Sequence, residues 1–389
     1  MGKGHYFMIK LKYYYYVLLF ILFNESILPK IGGIFFYLIV YKSSLTVYNV
    51  IIKINLLGDN MNINELRTMQ NYPLELKIMK TKQRIREWVN EYGIEGVYVA
   101  FSGEKDSTVL LHIVRSLYPS VEGVFANTGN EFPEIIQFVR KQENIKWVKP
   151  RKSFAKVLKE EGYPVISKKT SRMIKDCQNP TDKNARSRKL YLSDYTLDKE
   201  GNLTTVKNNS FKIAYKHRYL INAPFKVSNK CCDYLKKYPM QDYEKQTGKK
   251  AIIGTQASES KMRESAYLQT GCNNFKGGKC QPLGFWTEQD VLEYIYKFNL
   301  EISSVYGEVK IDDKGKYYTT GENRTGCVAC GYGCSMWKTD NENRYLRLEQ
   351  THPKLHNHII NNLGFKEVLE YMNIKYTNKK EIILKEKPS

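Results

Sequence analysis

No apolar run in this chain reaches the roughly 20 residues that a membrane-spanning helix needs. The two strongest, YYYYVLLFILF (Tyr13 to Phe23) and IGGIFFYLIVY (Ile31 to Tyr41), both fall short. Lys3, Lys10 and Lys12 precede the first run as in a signal peptide, but no small-residue cleavage site follows, which argues against export. Acid is scarce: 40 Asp+Glu stand against 61 Lys+Arg, a formal charge of +21. That balance points to a polyanionic partner, whether nucleic acid, nucleotide or anionic membrane surface, although a solvated basic face accounts for it equally. There is no internal repeat, so a repeat array is excluded. No cysteine follows Cys334, so the tail EIILKEKPS supplies no thiol nucleophile.

What is present is enough for a globular protein. The 389 residues are 42% hydrophobic, sufficient for one large domain or two ordinary ones with a real core. Residues 1–60 differ from the rest and are a doubtful N-terminal extension. LLGDNM (Leu56 to Met61) is compatible with a purine-rich ribosome-binding site just before an ATG, so translation is expected to start at Met61. Without those residues, six lysines and two acids are lost and the charge falls from +21 to +17. Eight cysteines without a convincing export signal indicate a reducing, cytoplasmic location and metal ligation rather than disulfides.

Periodicity organises the remainder. Residues 61–92 hold an N-terminal helix, with Ile78, Ile85, Trp88 and Val89 spaced for one buried face and Gly93 as its stop. VYVAF (Val97 to Phe101), VEGVFANTG (Val121 to Gly129), IKWVKP (Ile145 to Pro150) and KAIIGTQ (Lys250 to Gln256) read as strands. Helical patterns follow the first two, the second opened by Pro133. The expected fold is α/β, a Rossmann-like parallel sheet with helices on both faces over 93–300, followed by a mostly helical, cysteine-containing part at 301–389. Ligands in such sheets bind at the carboxyl ends of the strands, where the polar loops 102–107 and 127–131 fall. Residues 151–218 form a basic insert with 17 Lys/Arg against 7 Asp/Glu and a turn at DKEGN (Asp198 to Asn202). TEQDVLEYIYKFN is a helix capped by Thr287, and DDKGK (Asp312 to Lys316) is a hairpin turn.

The stretch SGEKDS, Ser102 to Ser107, leaves a strand and enters a helix, where free N–H groups and the helix dipole favour an anion. Ser102 and Ser107 add hydroxyls and Lys105 a charge. It resembles the SGGKDS pyrophosphate loop of the N-type ATP pyrophosphatases and the phosphoadenylyl-sulfate (PAPS) reductase family, with Glu104 in place of the second glycine. NTGNEFPE (Asn127 to Glu134) resembles the family's DTG-x-x-F-P-E segment, with Asn127 where Asp is usual. GTQASESKMRES (Gly254 to Ser265) is similar to its G-x-R-x-x-E-S-x-x-R segment, with Gln256 for the first arginine. PLGFWTEQDVLEYI (Pro282 to Ile295) is similar to its P-L-x-x-W-T-x-x-D-V-x-x-Y-I element. The resemblance spans about 95–300 and implies an adenine nucleotide (ATP, PAPS or APS) held by Ser102, Gly103, Glu104, Lys105, Asp106, Ser107, Asn127, Thr128, Gly129, Glu259, Ser260 and Arg263. Lys105 and Arg263 would be catalytic. Glu104 either repels the phosphates or helps to hold a bridging Mg2+, and both readings stand.

CCDYLKKYP (Cys231 to Pro239) and TGCVACGYGC (Thr325 to Cys334) pair Cys231/Cys232 with Cys327/Cys330. The set resembles the 4Fe-4S ligands of adenylyl-sulfate (APS) reductases. Four thiolates suit a cluster and also structural zinc. Adjacent cysteines diverge and chelate a single ion poorly, which favours the cluster. A sulfonucleotide reductase with a thiol reductant protein as partner would need Cys334 or Cys272 as nucleophile; Cys272 and Cys280 sit in a Gly/Asn/Lys loop suited to a redox pair. The alternative reaction resembles the ATP-dependent sulfur transfer of tRNA thiolation and DNA phosphorothioation. Its nucleic-acid acceptor would lie on the basic insert, where Phe154, Tyr163, Tyr191, Tyr195 and Phe211 stand among Lys and Arg. A third class, a nucleotide-binding protein with a degraded site, is carried by Glu104, Asn127 and Gln256.

Overall fold

Four strands expected from their apolar runs form the centre of the sheet: β1 (Val97–Ala100), β2 (Gly123–Ala126), β3 (Ile145–Val148) and β4 (Lys250–Ile253), all parallel. The chain is described from a computed structural model over residues 61–193, 195–197, 203–205, 211–337 and 339–378. The extension 1–60, the boundary proposed at Met61 and the turn at Asp198 to Asn202 fall at or outside those limits, as does the Tyr195 side chain. Two short strands, β5 (Asn273–Asn274) and β6 (Lys279–Cys280), complete the order β3-β2-β1-β4-β6-β5. β6 runs parallel to β4, and β5 antiparallel to β6. The Gly/Asn/Lys stretch read as a loop is therefore a tight hairpin that extends the sheet and carries Cys280 in its second strand.

Alternation explains why these runs are apolar throughout. Val97 and Val99 pack with Val109, Leu110 and Ile113 of the helix Lys105–Arg115, while Tyr98 and Val124 pack with Tyr243 of the helix Tyr238–Thr247. Both faces are covered, as a parallel sheet requires. The N-terminal region forms two helices rather than one, Ile63–Gln70 and Leu74–Tyr92, separated at Pro73, whose missing N–H suits a helix start and not an interior. Ile85 and Trp88 are fully buried on the second helix.

The basic insert contributes the helices Lys168–Gln178 and Ala185–Leu192 and an antiparallel pair, Tyr195–Leu197 with Leu203–Thr205, flanking the expected turn. Of its aromatic residues, Phe154 and Tyr191 are buried and Tyr163 packs edge-on to Phe225 and Phe365, so these three build core. Among the described residues, the C-terminal part combines helices with short strands. It opens with the hairpin Val309–Ile311/Tyr317–Thr319, and then Gly331–Tyr332 pairs in parallel with Val165–Ile166 before the helices Arg344–Thr351, Pro353–Asn357 and Phe365–Tyr371. That short parallel pair ties the second cysteine motif to the basic insert. No helix among the described residues is long and apolar enough to cross a membrane.

Candidate active site

The turn after β1 needs glycine at one position only. Gly103 has φ +71°, and a Cβ there would lie 2.6 Å from Val139 Cγ2 and 3.0 Å from Ile135 Cγ2. Glu104 has φ −77° and ψ 155° and stands just before the helix Lys105–Arg115, so its side chain costs no backbone strain. The hydroxyls brace the turn itself. Ser107 Oγ accepts the Ser102 N–H at 3.1 Å and donates to Glu104 O at 2.9 Å, and the two serine hydroxyls are 3.0 Å apart.

Lys105, Lys236 and Arg263 each meet a carboxylate of the same chain. Lys105 Nζ lies 3.2 Å from Glu288 Oε1 and donates to Asn323 O at 3.2 Å, beneath the ring of Tyr306. Lys236 Nζ lies 4.0 Å from Glu104 Oε1. Arg263, exposed on the helix Lys261–Thr270, pairs with Glu259, while Ser260 caps that helix through the Arg263 N–H. Glu288 lies at the start of the Thr287-capped helix within the PLGFWTEQDVLEYI element, whereas Tyr306 and Asn323 have no local signature and reach the turn only through the folding of the C-terminal part across it.

Gln256, which stands where the family has arginine, reaches the turn: its amide donates to Asp106 Oδ1 at 2.7 Å. Burial pushes the Asp106 carboxyl up to about 6, against the pull of Lys105 and with the charges of Glu259 and Glu104 adding to the shift. The folded chain thus holds this proton to higher pH than the unfolded chain does. Stability therefore falls as pH rises from about 4 to about 6. Asp106→Asn is expected to stabilise the protein at neutral pH by up to roughly 3 kcal/mol and to flatten the dependence of Tm on pH across that window. Thermal melts with an unchanged pH profile would overturn this.

The loop after β2 braces itself and the Cys-x-x-Cys turn. Asn127 Oδ1 accepts the Gly129 N–H at 3.2 Å, a role that amide and carboxylate fill alike, so the change from Asp leaves the loop intact. Thr128 Oγ1 donates to Glu131 Oε1 at 2.6 Å. Asn130, overlooked in the sequence although it lies inside the matched motif, accepts the Val328 N–H on its carbonyl at 2.8 Å and the Ala329 N–H on Oδ1 at 3.1 Å. Those two bonds hold the Cys-x-x-Cys turn, and Arg344 Nη1 donates to Cys327 O at 2.9 Å from the other side.

Two neighbouring cavities result. One, of about 170 Å³, has Ser102, Glu104, Glu131, Lys236 and Gly326 on a wall that is otherwise apolar, including Phe125. The other, about 20 Å³, is lined by Cys231, Cys232, Cys327 and Cys330, again with Lys236. Cys231 and Cys232 sulfurs are 4.0 Å apart, and the hydrogen bond between them, with Lys168 and Lys236 nearby, favours the thiolate at Cys232. Burial pushes Cys330 up to about 12 and Cys327 above its usual range. Among the described residues no three His, Cys, Asp or Glu side chains are arranged to hold one metal ion.

The remaining cysteines lie elsewhere. Cys334 is buried with Val165, Ile166, Met173 and Val368, and burial pushes its thiol up to about 11. Cys272 is buried against the Tyr267 hydroxyl at 2.9 Å, and Cys280 is fully buried in the same core. Neither Cys334 nor Cys272 lines either cavity.

The fold is thus a mostly parallel α/β sheet with a glycine turn after its first strand and a four-cysteine cavity beside that turn. The model of the phosphoadenosine phosphosulfate reductase domain matches residues 96–179 and 151–332, and the chain belongs to that family. Among solved structures, it is similar to the phosphoadenylyl-sulfate (PAPS) reductase from Candida auris in its phosphate complex, at 14% identity and a TM-score of 0.33, over 67% of this chain and 99% of that one. No curated protein matches it.

Proposed function

We propose that this chain binds an adenine nucleotide with its phosphates at the 102–107 turn, and couples nucleotide cleavage to sulfur transfer at the four cysteines next to it. Family membership supports a sulfonucleotide-related function and an enzyme of the reductase or transferase kind. The observation that carries the finer reading is Lys236, which lines both cavities and faces Glu104, so that one ammonium borders the nucleotide turn and the sulfur site together.

Cys231, Cys232, Cys327 and Cys330 would hold a 4Fe-4S cluster. Number and type of donor fit, since a cluster offers separate irons to separate thiolates while zinc needs all four at one point. Lys168 and Lys236 are placed to offset the negative charge of four thiolates. The cavity is only water-sized as packed, so loading would part the two cysteine pairs. When bound, the cluster supplies sulfur or electrons. The chain's own groups do the rest: the turn's N–H groups and Lys105 receive phosphate, the apolar wall of the larger cavity receives the base, and Glu104 and Glu131 are the carboxylates open to Mg2+ entering with the nucleotide.

Sulfur transfer is favoured over reduction of PAPS or APS because reduction needs a free thiol as nucleophile, and Cys334 and Cys272 are both buried away from the cavities. The test is anaerobic incubation with ATP, PAPS or APS in the presence of acceptor and of a thiol reductant. AMP and pyrophosphate formed from ATP only with acceptor, and lost or weakened in Lys105→Ala, are expected. The loss of affinity in that variant should be about 1.5 to 3 kcal/mol, as for a hydrogen bond to a charged group. Sulfite released from either sulfonucleotide without ATP would overturn transfer in favour of reduction.

A further inference from the structure

Two aromatic rings of the basic insert are not core. Phe211 is 52% exposed and Tyr215 83% exposed. Each has a cation set over it: Lys169 Nζ lies 5.0 Å from the Phe211 ring centroid, and the Arg218 guanidinium 5.7 Å from that of Tyr215. The surrounding chain is basic. Residues 168–192 carry eight Lys/Arg against Asp176 and Asp182, and residues 211–226 add Lys212, Lys216, Arg218 and Lys226 with no acid. Lys168, immediately before Lys169, brings its ammonium to 3.6 Å from Asp233, the residue after Cys232. One step of the backbone therefore connects the ring-bearing surface to the rim of the four-cysteine cavity.

We propose that this surface binds single-stranded nucleic acid, with phosphates along the two basic helices and bases stacked on Phe211 and Tyr215. The chemistry selects that partner in two ways. Basic side chains alone would take any polyanion, but exposed rings flanked by cations offer a face to unpaired bases, which a duplex keeps inside its stack. The role of such a strand as sulfur acceptor rests on the function proposed above, whereas its binding does not.

The test is fluorescence anisotropy of a labelled oligo-dT or oligo-U of about 16 nucleotides with the full chain. Binding is expected to fall linearly with log salt, by about 0.7 log units per phosphate contacted for each tenfold rise in salt. Phe211→Ala and Tyr215→Ala should each weaken it by about fivefold to a hundredfold, the range for loss of one stacked base. Lys169→Glu, which leaves both rings in place, should weaken it as well. ATP affinity by calorimetry should be unchanged in all three variants, while Lys105→Ala should lose ATP and keep the oligonucleotide, so failure of the surface and failure of the nucleotide site read out separately. Wild-type oligonucleotide affinity in the Phe211→Ala/Tyr215→Ala double variant would overturn the proposal. So would a duplex bound as tightly as the single strand, or binding to vesicles rich in phosphatidylserine with none to oligonucleotide.

Discussion

Lys77→Ala is expected to lower the free energy of unfolding by about 3 to 5 kcal/mol, the range for breaking a buried ion pair by removing one partner. Lys77 is 1% exposed on the helix Leu74–Tyr92, and its ammonium donates to Asp290 Oδ2 at 2.6 Å and to Gln70 O at 2.7 Å. The same carboxylate oxygen accepts from the Thr287 N–H and hydroxyl, which fixes the start of the helix Glu288–Lys297. Without the lysine, a carboxylate stays buried with only neutral partners. The effect reaches the site because Glu288, at the first position of that helix, is the partner of Lys105. Urea unfolding measures the loss, and a change within about 1 kcal/mol, the size of an exposed pair, would show that the pair is not desolvated. Asp290→Asn, which keeps an acceptor toward Thr287, should cost less.

Cys327→Ser is expected to abolish metal binding by anaerobically purified protein. The native chain should carry about four irons with matching sulfide and visible absorbance, and the variant close to none. Serine is nearly the same size, so loss of metal without loss of fold separates ligation from packing. Cys334→Ser, in the apolar cluster beside Ile166 and Val368, should leave the iron in place and lower stability instead, since it buries a hydroxyl. Stoichiometric zinc without iron in the native protein would overturn the cluster. Iron retained by Cys327→Ser would overturn the ligand set.

The strands and the turn after β1 were legible because they are local. The apolar run at Val97 to Phe101, a glycine at 103 and the helical pattern from Val109 describe a backbone path that depends on neighbouring residues only, and the structure follows it. The cysteine spacing was legible for a related reason: Cys-Cys and Cys-x-x-Cys each limit where two sulfurs can point. Whether the two pairs meet depends on Asn130, whose bonds to Val328 and Ala329 cross 198 and 199 positions of chain.

What the sequence by itself determined is the parallel sheet, the position of the turn at the carboxyl end of β1, and the residue types gathered around it, because periodicity and φ preference act over a few residues. Only the tertiary structure decided the fate of side chains. Glu104 took relaxed extended backbone and turned its carboxylate toward Lys236. Cys334 went to the core, and so did Phe154 and Tyr191, while Phe211 and Tyr215 stayed outside. Each of those outcomes depends on which distant segment packs over the residue, through contacts that arise only when the C-terminal part and the basic insert close on the sheet. A thiol, a ring or a carboxylate carries no local mark of whether water or another side chain will be its neighbour.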